Sequence, residues 1–307
     1  MSGDLAKRIL KGDVRAAARL LTLIENGDPR ARPVLKKIYP STGKAHVIGV
    51  TGAPGTGKSA LIDGMTAELR RRKREVGILA VDPTSPFSGG ALLGDRLRMR
   101  EHFLDQGVFI RSLATRGGLG GISACLREAV QLLDAAGKEI VFVETIGVGQ
   151  DQVEISTIVH TVLLVFIPGA GDEIQAMKAG LVEIADILVV NKADLPGAEA
   201  MFQQIGALLE DSGLPIMKTS AIRNEGIGLL IDALEKHRAE LLASGDHRRR
   251  NLSFCRRQLL SLIQERLLAQ ALRRVGEDSI EGLVEEISER RLDPYSAAEK
   301  ILKKRGL

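Results

Sequence analysis

The chain has 307 residues, of which 44% are hydrophobic and 27% are charged, and its net charge is +4. This composition is typical of a soluble globular protein and argues against a disordered chain or a membrane-embedded one. The two cysteines, Cys125 and Cys255, lie far apart without metal-ligand spacing, so neither a disulfide framework nor a zinc site is predicted. Because the charged start of the chain lacks a signal-peptide core, we expect a cytoplasmic protein that makes no membrane contact.

Helical spacing of apolar residues in 4–26 predicts an N-terminal helical extension, with a break between two helices at Gly12 and Asp13. Residues 27–44 are rich in proline, glycine and basic side chains, and we predict a linker there. The first predicted region is therefore 1–44, a helical extension followed by a linker.

Short apolar runs follow at intervals long enough for a helix between each pair. They predict strands at 46–50, 76–82, 108–112, 140–144, 161–168, 187–191 and 215–219. Alternating strands and helices imply right-handed crossovers and a mostly parallel central sheet covered by helices on both faces. The predicted fold class is therefore α/β with three layers, and its main domain spans 45–245.

The C-terminal region, 246–307, begins with a basic run and is helix-like and highly charged. One face of its first helix carries an apolar stripe made of Leu259, Leu260, Ile263, Leu267 and Leu268. Such a stripe must pack against something, and the pattern leaves open whether it covers its own domain or a second copy. We predict a C-terminal helical arm.

The segment GAPGTGKS at 52–59 fits the pattern G-x-x-x-x-G-K-[ST] at every fixed position, between a strand and a helix. Backbone N–H groups of such a loop surround phosphates, while Lys58 reaches the β- and γ-phosphates and Ser59 ligates Mg²⁺. The predicted fold is accordingly that of a P-loop NTPase. The predicted phosphate-binding residues are Gly52, Ala53, Pro54, Gly55, Thr56, Gly57, Lys58, Ser59 and Ala60.

Acidic residues lie where magnesium chemistry requires them: Asp82 and Glu144 end predicted strands, and Asp95 follows in a loop. The carboxyl ends of parallel strands gather ligands at one edge of the sheet. Because Mg²⁺ takes few protein ligands, only some of Ser59, Asp82, Asp95 and Glu144 are expected to bind it directly.

The segment ETIG at 144–147 corresponds to the D-x-x-G pattern of GTPases, with Glu144 in place of the aspartate. Gly147 would offer its N–H to the γ-phosphate and so sense GTP against GDP. Val148 follows where a water-orienting glutamine is expected, which predicts slow intrinsic hydrolysis that a partner accelerates. The predicted catalytic residues are Lys58, Asp95, Glu144 and Gly147.

A predicted strand delivers the segment NKAD at 191–194, which matches the N-K-x-D pattern of guanine-specific proteins. The Asp194 carboxylate can accept from N1–H and the amino group of guanine, a donor pair that adenine lacks. Lys192 would cover the base with its methylene stem, and Ser220 and Ala221 would close over it. With Asn191, these residues predict GTP and GDP as the bound nucleotides.

The five histidines are His46, His102, His160, His237 and His247, and their scattered positions predict structural or solvated side chains. A metal-delivery role would require His or Cys clusters. The basic run at 248–250 lacks interleaved aromatic residues, so no nucleic-acid partner is predicted.

Three longer segments, 81–96, 144–150 and 169–175, resemble the MeaB/ArgK group of P-loop GTPases, which includes the MMAA-type proteins. The resemblance implies a chaperone of an adenosylcobalamin-dependent mutase, either methylmalonyl-CoA mutase or a related acyl-CoA mutase. Members of the group gate cofactor loading and protect or reactivate that mutase.

The same resemblance implies that 82–96 and 144–152 are switch regions and that 169–180 communicates with the mutase. It also implies a homodimer through the C-terminal arm, which favours a second copy as the cover of the apolar stripe. Two other functions remain as alternatives: a phosphotransferase linked to amino-acid transport, and a nucleotide-sensing scaffold without turnover. The sequence offers no separate acceptor site or general base for a kinase.

Overall fold

The computed structural model describes residues 2–82, 99, 102, 104–114, 121–145, 155–169, 181–275 and 277–303. The chain forms two compact units, residues 1–254 and 255–307. The domain boundaries inferred from sequence, 44/45 and 245/246, remain predictions.

A seven-stranded sheet forms the centre of the first unit. Its strands are β1 (His46–Thr51), β2 (Val76–Asp82), β3 (Val108–Ala114), β4 (Ile140–Glu144), β5 (Thr161–Phe166), β6 (Ile187–Val190) and β7 (Ile216–Lys218). They lie in the order β3-β2-β4-β1-β5-β6-β7, and every pair is parallel. The predicted α/β fold is confirmed. β1, β4, β5 and β6 are buried along their whole length, because a parallel sheet is covered on both faces.

The described α-helices of the first unit surround this sheet. They are α1 (Ser2–Ile9), α2 (Val14–Glu25), α3 (Ala31–Ile38), α4 (Lys58–Arg71), α5 (Gly121–Ala135), α6 (Ala198–Leu208), α7 (Ile227–Ser244) and the beginning of α8 (Asp246–Val275).

Successive strand residues point to opposite faces, and this alternation builds the three layers. Ile48 of β1 joins a buried cluster with Leu61 of α4 and Leu230 of α7. Its neighbour Val47 joins a different cluster, which includes Leu133 of α5 and residues of α1, α2 and α3. The sheet is therefore covered by α4 and α7 on one face and by α5 and the N-terminal helices on the other.

The N-terminal break is confirmed: α1 ends at Ile9, and the Asp13 carboxylate caps α2 by accepting from the Ala16 N–H at 3.0 Å. The linker predicted over 27–44 is wrong in part, because α3 forms inside it. Pro33 lies in the first turn of α3, where its missing N–H costs no intrahelical hydrogen bond. The hydrophobic effect favours this helix, since Ile38 is completely buried in the core.

The second unit continues α8 from residue 255 and adds α9 (Glu277–Ser288) and α10 (Pro294–Lys303). The five side chains of the predicted apolar stripe on α8 are between 38% and 59% exposed: Leu259, Leu260, Ile263, Leu267 and Leu268. Among the described residues, none of the helices is long and apolar enough to cross a membrane.

Candidate nucleotide-binding site

The loop at 52–57 lies at the carboxyl end of the central strand β1, and Lys58 is the first residue of α4. Two of its glycines pack too closely for any side chain. Gly52 has φ +144°, and a Cβ there would collide with the Val165 carbonyl oxygen of β5. Gly57 has φ +83°, and a Cβ there would lie 2.7 Å from Asn191 Nδ2. The loop backbone can therefore approach β5 and the 191–194 segment only with glycine at these positions.

Contacts within the loop itself fix its shape. The Thr56 hydroxyl donates to the Ala53 carbonyl at 2.9 Å. Lys58 is buried, and its ammonium donates to the carbonyl oxygens of Gly52 at 2.9 Å and of Ala53 at 3.0 Å. The ammonium therefore lies over the concave loop, where the bound phosphates are predicted.

Ser59 and Glu144 connect the N-terminus of α4 to strand β4. The Ser59 hydroxyl donates to Glu144 Oε1 at 2.6 Å, and both residues are 6% exposed. Glu144 comes to this place because β4 pairs with β1, opposite Val50. Two buried oxygen ligands at a helix N-terminus are the donor type that Mg²⁺ prefers. These two residues therefore fit the predicted metal.

The other predicted ligands are less fully described. Asp82 ends β2 in register with Ala114 of β3, beyond the Ala80–Glu144 pair, and its side chain lies outside the described residues. Asp95 and Gly147 also lie outside them, as does most of each predicted switch segment. Within the described residues, no group of three His, Cys, Asp or Glu side chains could hold a metal ion.

The 191–194 segment leaves β6 at the same edge of the sheet. The buried Asn191 amide donates to the Thr56 carbonyl at 2.9 Å and accepts from the Thr219 hydroxyl at 3.1 Å and the Ala221 N–H at 3.4 Å. One side chain therefore joins the phosphate loop, the 191–194 segment and the 219–221 segment.

Asp194 is held by the neighbouring segment. The buried Ser220 hydroxyl donates to Asp194 Oδ1 at 2.5 Å, and this hydrogen bond lowers the pKa of Asp194 below its usual range. Lys192 has the left-handed φ of +54°, which turns the chain sharply after β6. Asp194 is consequently ionised at neutral pH and can accept two hydrogen bonds from a ligand.

The structure thus brings the predicted residues of 52–60, 191–194 and 220–221 together, with Glu144 beside them. Sequence reasoning missed the joining role of Thr219 and of the Thr56 carbonyl. Parallel pairing of β6 with β7 places Thr219 next to Asn191, and a single sequence carries no pattern that predicts that pairing.

Comparisons with known proteins also indicate a GTP-binding protein. A family model described as methylmalonyl Co-A mutase-associated GTPase MeaB matches residues 17–275. A protein of Pyrococcus abyssi, provisionally named a GTPase, is 44% identical over 312 residues, covering 99% of this chain and 96% of its own. The mitochondrial methylmalonic aciduria type A homolog of Caenorhabditis briggsae is 33% identical over 290 residues, covering 86% and 70%.

A solved structure is similar over nearly the whole length. The crystal structure titled LAO/AO transport system kinase has a TM-score of 0.72 and 25% identity, covering 98% of this chain and 96% of that one. The resemblance to the MeaB/ArgK group and the P-loop NTPase fold are confirmed.

Proposed function

This chain belongs to the family of methylmalonyl-CoA mutase-associated GTPases, MeaB, and is itself a GTPase. We propose that it acts as a chaperone of an adenosylcobalamin-dependent acyl-CoA mutase and that GTP hydrolysis drives its cycle. The observation that carries the nucleotide part is the Asn191 bridge, which joins the phosphate loop to the base-reading segment in one buried network. The mutase part rests on the description of the family.

Guanine selection follows from the charge and position of Asp194. Its ionised carboxylate accepts from N1–H and the amino group of guanine, whereas adenine presents no such pair of donors. A buried hydrogen-bonding group left without a partner costs about 1–3 kcal/mol, so losing the pair discriminates strongly against ATP. The Ser220 hydroxyl and the turn at Lys192 hold the carboxylate in place for this task.

Phosphate binding falls to the loop and to Lys58. The phosphate oxygens replace the Gly52 and Ala53 carbonyls as acceptors for the ammonium, which already lies over the loop. The N-terminus of α4 adds the favourable field of its backbone N–H groups. Ser59 and Glu144 would hold Mg²⁺, which neutralises the charge that develops on the phosphates during transfer.

Slow turnover without a partner is part of the proposal. The sequence has Val148 after Gly147, so it offers no side chain that orients water at the position used in the Ras-type template. A partner that orders the switch segments at 82–96 and 144–152 would raise the rate. Such a mechanism makes hydrolysis a timer that depends on the state of the mutase.

Homodimerisation through α8 is the proposed arrangement of the chaperone. The five apolar side chains exposed along residues 259–268 of this helix form the surface that a second copy would cover.

A mutase related to methylmalonyl-CoA mutase fits the proposal equally well, because the nucleotide site recognises GTP and not the acyl group of the mutase substrate.

The test follows the γ-phosphate of GTP with and without purified adenosylcobalamin-dependent mutases. We expect slow release of inorganic phosphate from the chain alone and faster release with the correct mutase. An Asp194→Asn variant, which should lose its preference for GTP, is the control for contaminating enzymes.

A phosphotransferase is the second candidate, because the similar solved structure is titled a transport system kinase. GTP labelled at its γ-phosphate distinguishes a kinase from a GTPase. Label transferred to a protein or small-molecule acceptor, without inorganic phosphate, would favour the kinase. Nucleotide binding without any loss of the γ-phosphate would favour a sensing scaffold.

A further inference from the structure

Four of the five histidines converge at the end of the sheet opposite the nucleotide site. His46 begins β1 and His160 immediately precedes β5, so both lie at the amino-terminal edge of the parallel strands. His237 comes from α7 and His247 from the first turn of α8. The His160 ring lies 4.7 Å from that of His247 and 6.3 Å from that of His46, measured between centroids.

One chain of hydrogen bonds passes through His160 in a single direction. The Val47 N–H donates to His160 Nδ1 at 3.1 Å, so this nitrogen carries no proton. The neutral ring therefore has its proton on Nε2, which donates to Asn251 Oδ1 at 3.1 Å. The Asn251 amide in turn donates to His247 Nδ1 at 3.3 Å. The tautomers of His160 and His247 are thus set by their partners.

A second chain passes through Thr161. Its hydroxyl lies 2.7 Å from His46 Nε2 and 2.9 Å from His237 Nδ1. The other ring nitrogen of His237 lies 3.5 Å from Asp186 Oδ1, which immediately precedes β6. A neutral His46 donates to the hydroxyl, the hydroxyl donates to His237, and His237 donates to the carboxylate.

Arg250 of α8 connects the hydrogen-bond network of His160 with that of Thr161. Its guanidinium donates to the His160 carbonyl at 2.6 Å and to both carboxylate oxygens of Asp186, at 2.7 and 3.1 Å. Asp186 also accepts from the Val162 N–H at 2.8 Å. Burial raises the pKa of Asp186, but the hydrogen bonds from His237 and Arg250 outweigh burial and hold the pKa at about 2.

We propose that these residues form a clasp that holds segment 246–254 on the amino-terminal edge of the sheet only while His160 and His247 are neutral, so that acidification releases the base of α8. The clasp consists of His46, His160, Thr161, Asp186, His237, His247, Arg250 and Asn251.

Geometry gives the first reason. A proton on His160 Nδ1 would point at the Val47 N–H, and one on His247 Nδ1 would point at the Asn251 amide hydrogens. In both places two donors would face each other where one acceptor is required, and the cost is greatest at His160, which is buried.

The surrounding charges give the second reason. The titratable and charged groups around His160 come from every element packed against it: His46 of β1, His237 and Arg238 of α7, His247 and Arg250 of α8, and Asp186 before β6. Only Asp186 among them is acidic, and it is already paired with Arg250. Burial lowers the pKa of His46 to about 2 and that of His160 to about 4, and it also lowers that of His247.

The test is amide hydrogen exchange of the full chain at pH 7.5 and pH 5.0, with rates corrected for intrinsic exchange. With a pKa of 6.5 for His160 once segment 246–254 has left it, and of about 4 in the clasp, His160 alone raises the opening constant about 30-fold at pH 5.0. We expect this rise in residues 246–254 and no comparable rise in α4. No rise in 246–254, or an equal rise throughout the protein, would overturn the proposal.

His160→Gln is the diagnostic variant, because its amide can accept from Val47 and donate to Asn251 but cannot take up a proton. We expect its exchange in 246–254 to rise much less on acidification. His102→Gln is the matched control, since His102 is buried outside the clasp, 3.4 Å from the Asp63 carbonyl. If His160→Gln does not fold, His247→Gln replaces it, and an unreduced rise in the folded variant would refute the clasp.

Discussion

Replacing Asn191 by alanine tests whether one buried side chain joins the two halves of the nucleotide site. The change removes the donor to the Thr56 carbonyl and the acceptor for the Thr219 hydroxyl, and it leaves both groups buried. Each group left without a partner costs about 1–3 kcal/mol. If the nucleotide-bound site of the variant must leave one of these two groups without a partner, GTP binds about 5- to 160-fold more weakly.

The assay is titration of the variant with GTP and GDP, monitored by calorimetry. Both nucleotides should weaken together, because the bridge serves the loop and the base segment alike. Gln203→Ala is the matched control, since it removes an exposed amide that bonds Glu199 at 3.0 Å, and its affinity should be unchanged. Equal affinities of Asn191→Ala and the parent protein would show that the bridge does not organise the site.

Four further predictions concern single residues. Asp194→Asn should weaken GTP binding and leave ATP binding unchanged, and an unaltered preference in competition titrations would refute the base-reading assignment. Ser59→Ala should raise the Mg²⁺ concentration for half-maximal hydrolysis, and an identical Mg²⁺ titration would exclude Ser59 as a ligand. Gly57→Ala should bind nucleotide at least 10-fold more weakly than Gly55→Ala, because both have left-handed φ but only the Cβ at Gly57 meets Asn191. The folded pKa of His160 lies below its unfolded value, so stability is complete above pH 6.5 and falls towards pH 4. Urea titrations should give an unfolding free energy about 2 kcal/mol lower at pH 5.0 than at pH 7.5 from this residue, and an equal fall in His160→Gln would contradict the assignment.

The sheet and the nucleotide loops could be predicted because their patterns are local. A parallel strand covered on both faces appears as a continuous apolar run, as β5 and β6 do. The glycines at 52 and 57 carry their backbone requirement in the residue type itself. Lys58, Ser59 and Asp194 were likewise predictable from spacing.

Features that depend on tertiary contacts could not be predicted in this way. α3 forms in a proline-containing segment because Val34 and Ile38 pack into the hydrophobic core. The composition of the segment does not predict this packing. The four clasp histidines come from β1, the residue before β5, α7 and α8, so their sequence positions are scattered. Their convergence follows from the strand order, in which β5 lies next to β1.

Nucleotide-dependent binding of an acyl-CoA mutase is the decisive test of the chaperone function. The measurement is the affinity of the purified chain for an adenosylcobalamin-dependent mutase, with a non-hydrolysable GTP analogue and with GDP. We predict that the two affinities differ and that the mutase changes the protein's relative affinity for the two nucleotides by the same factor. Equal affinities in both nucleotide states, for every such mutase tested, would contradict the proposed chaperone function.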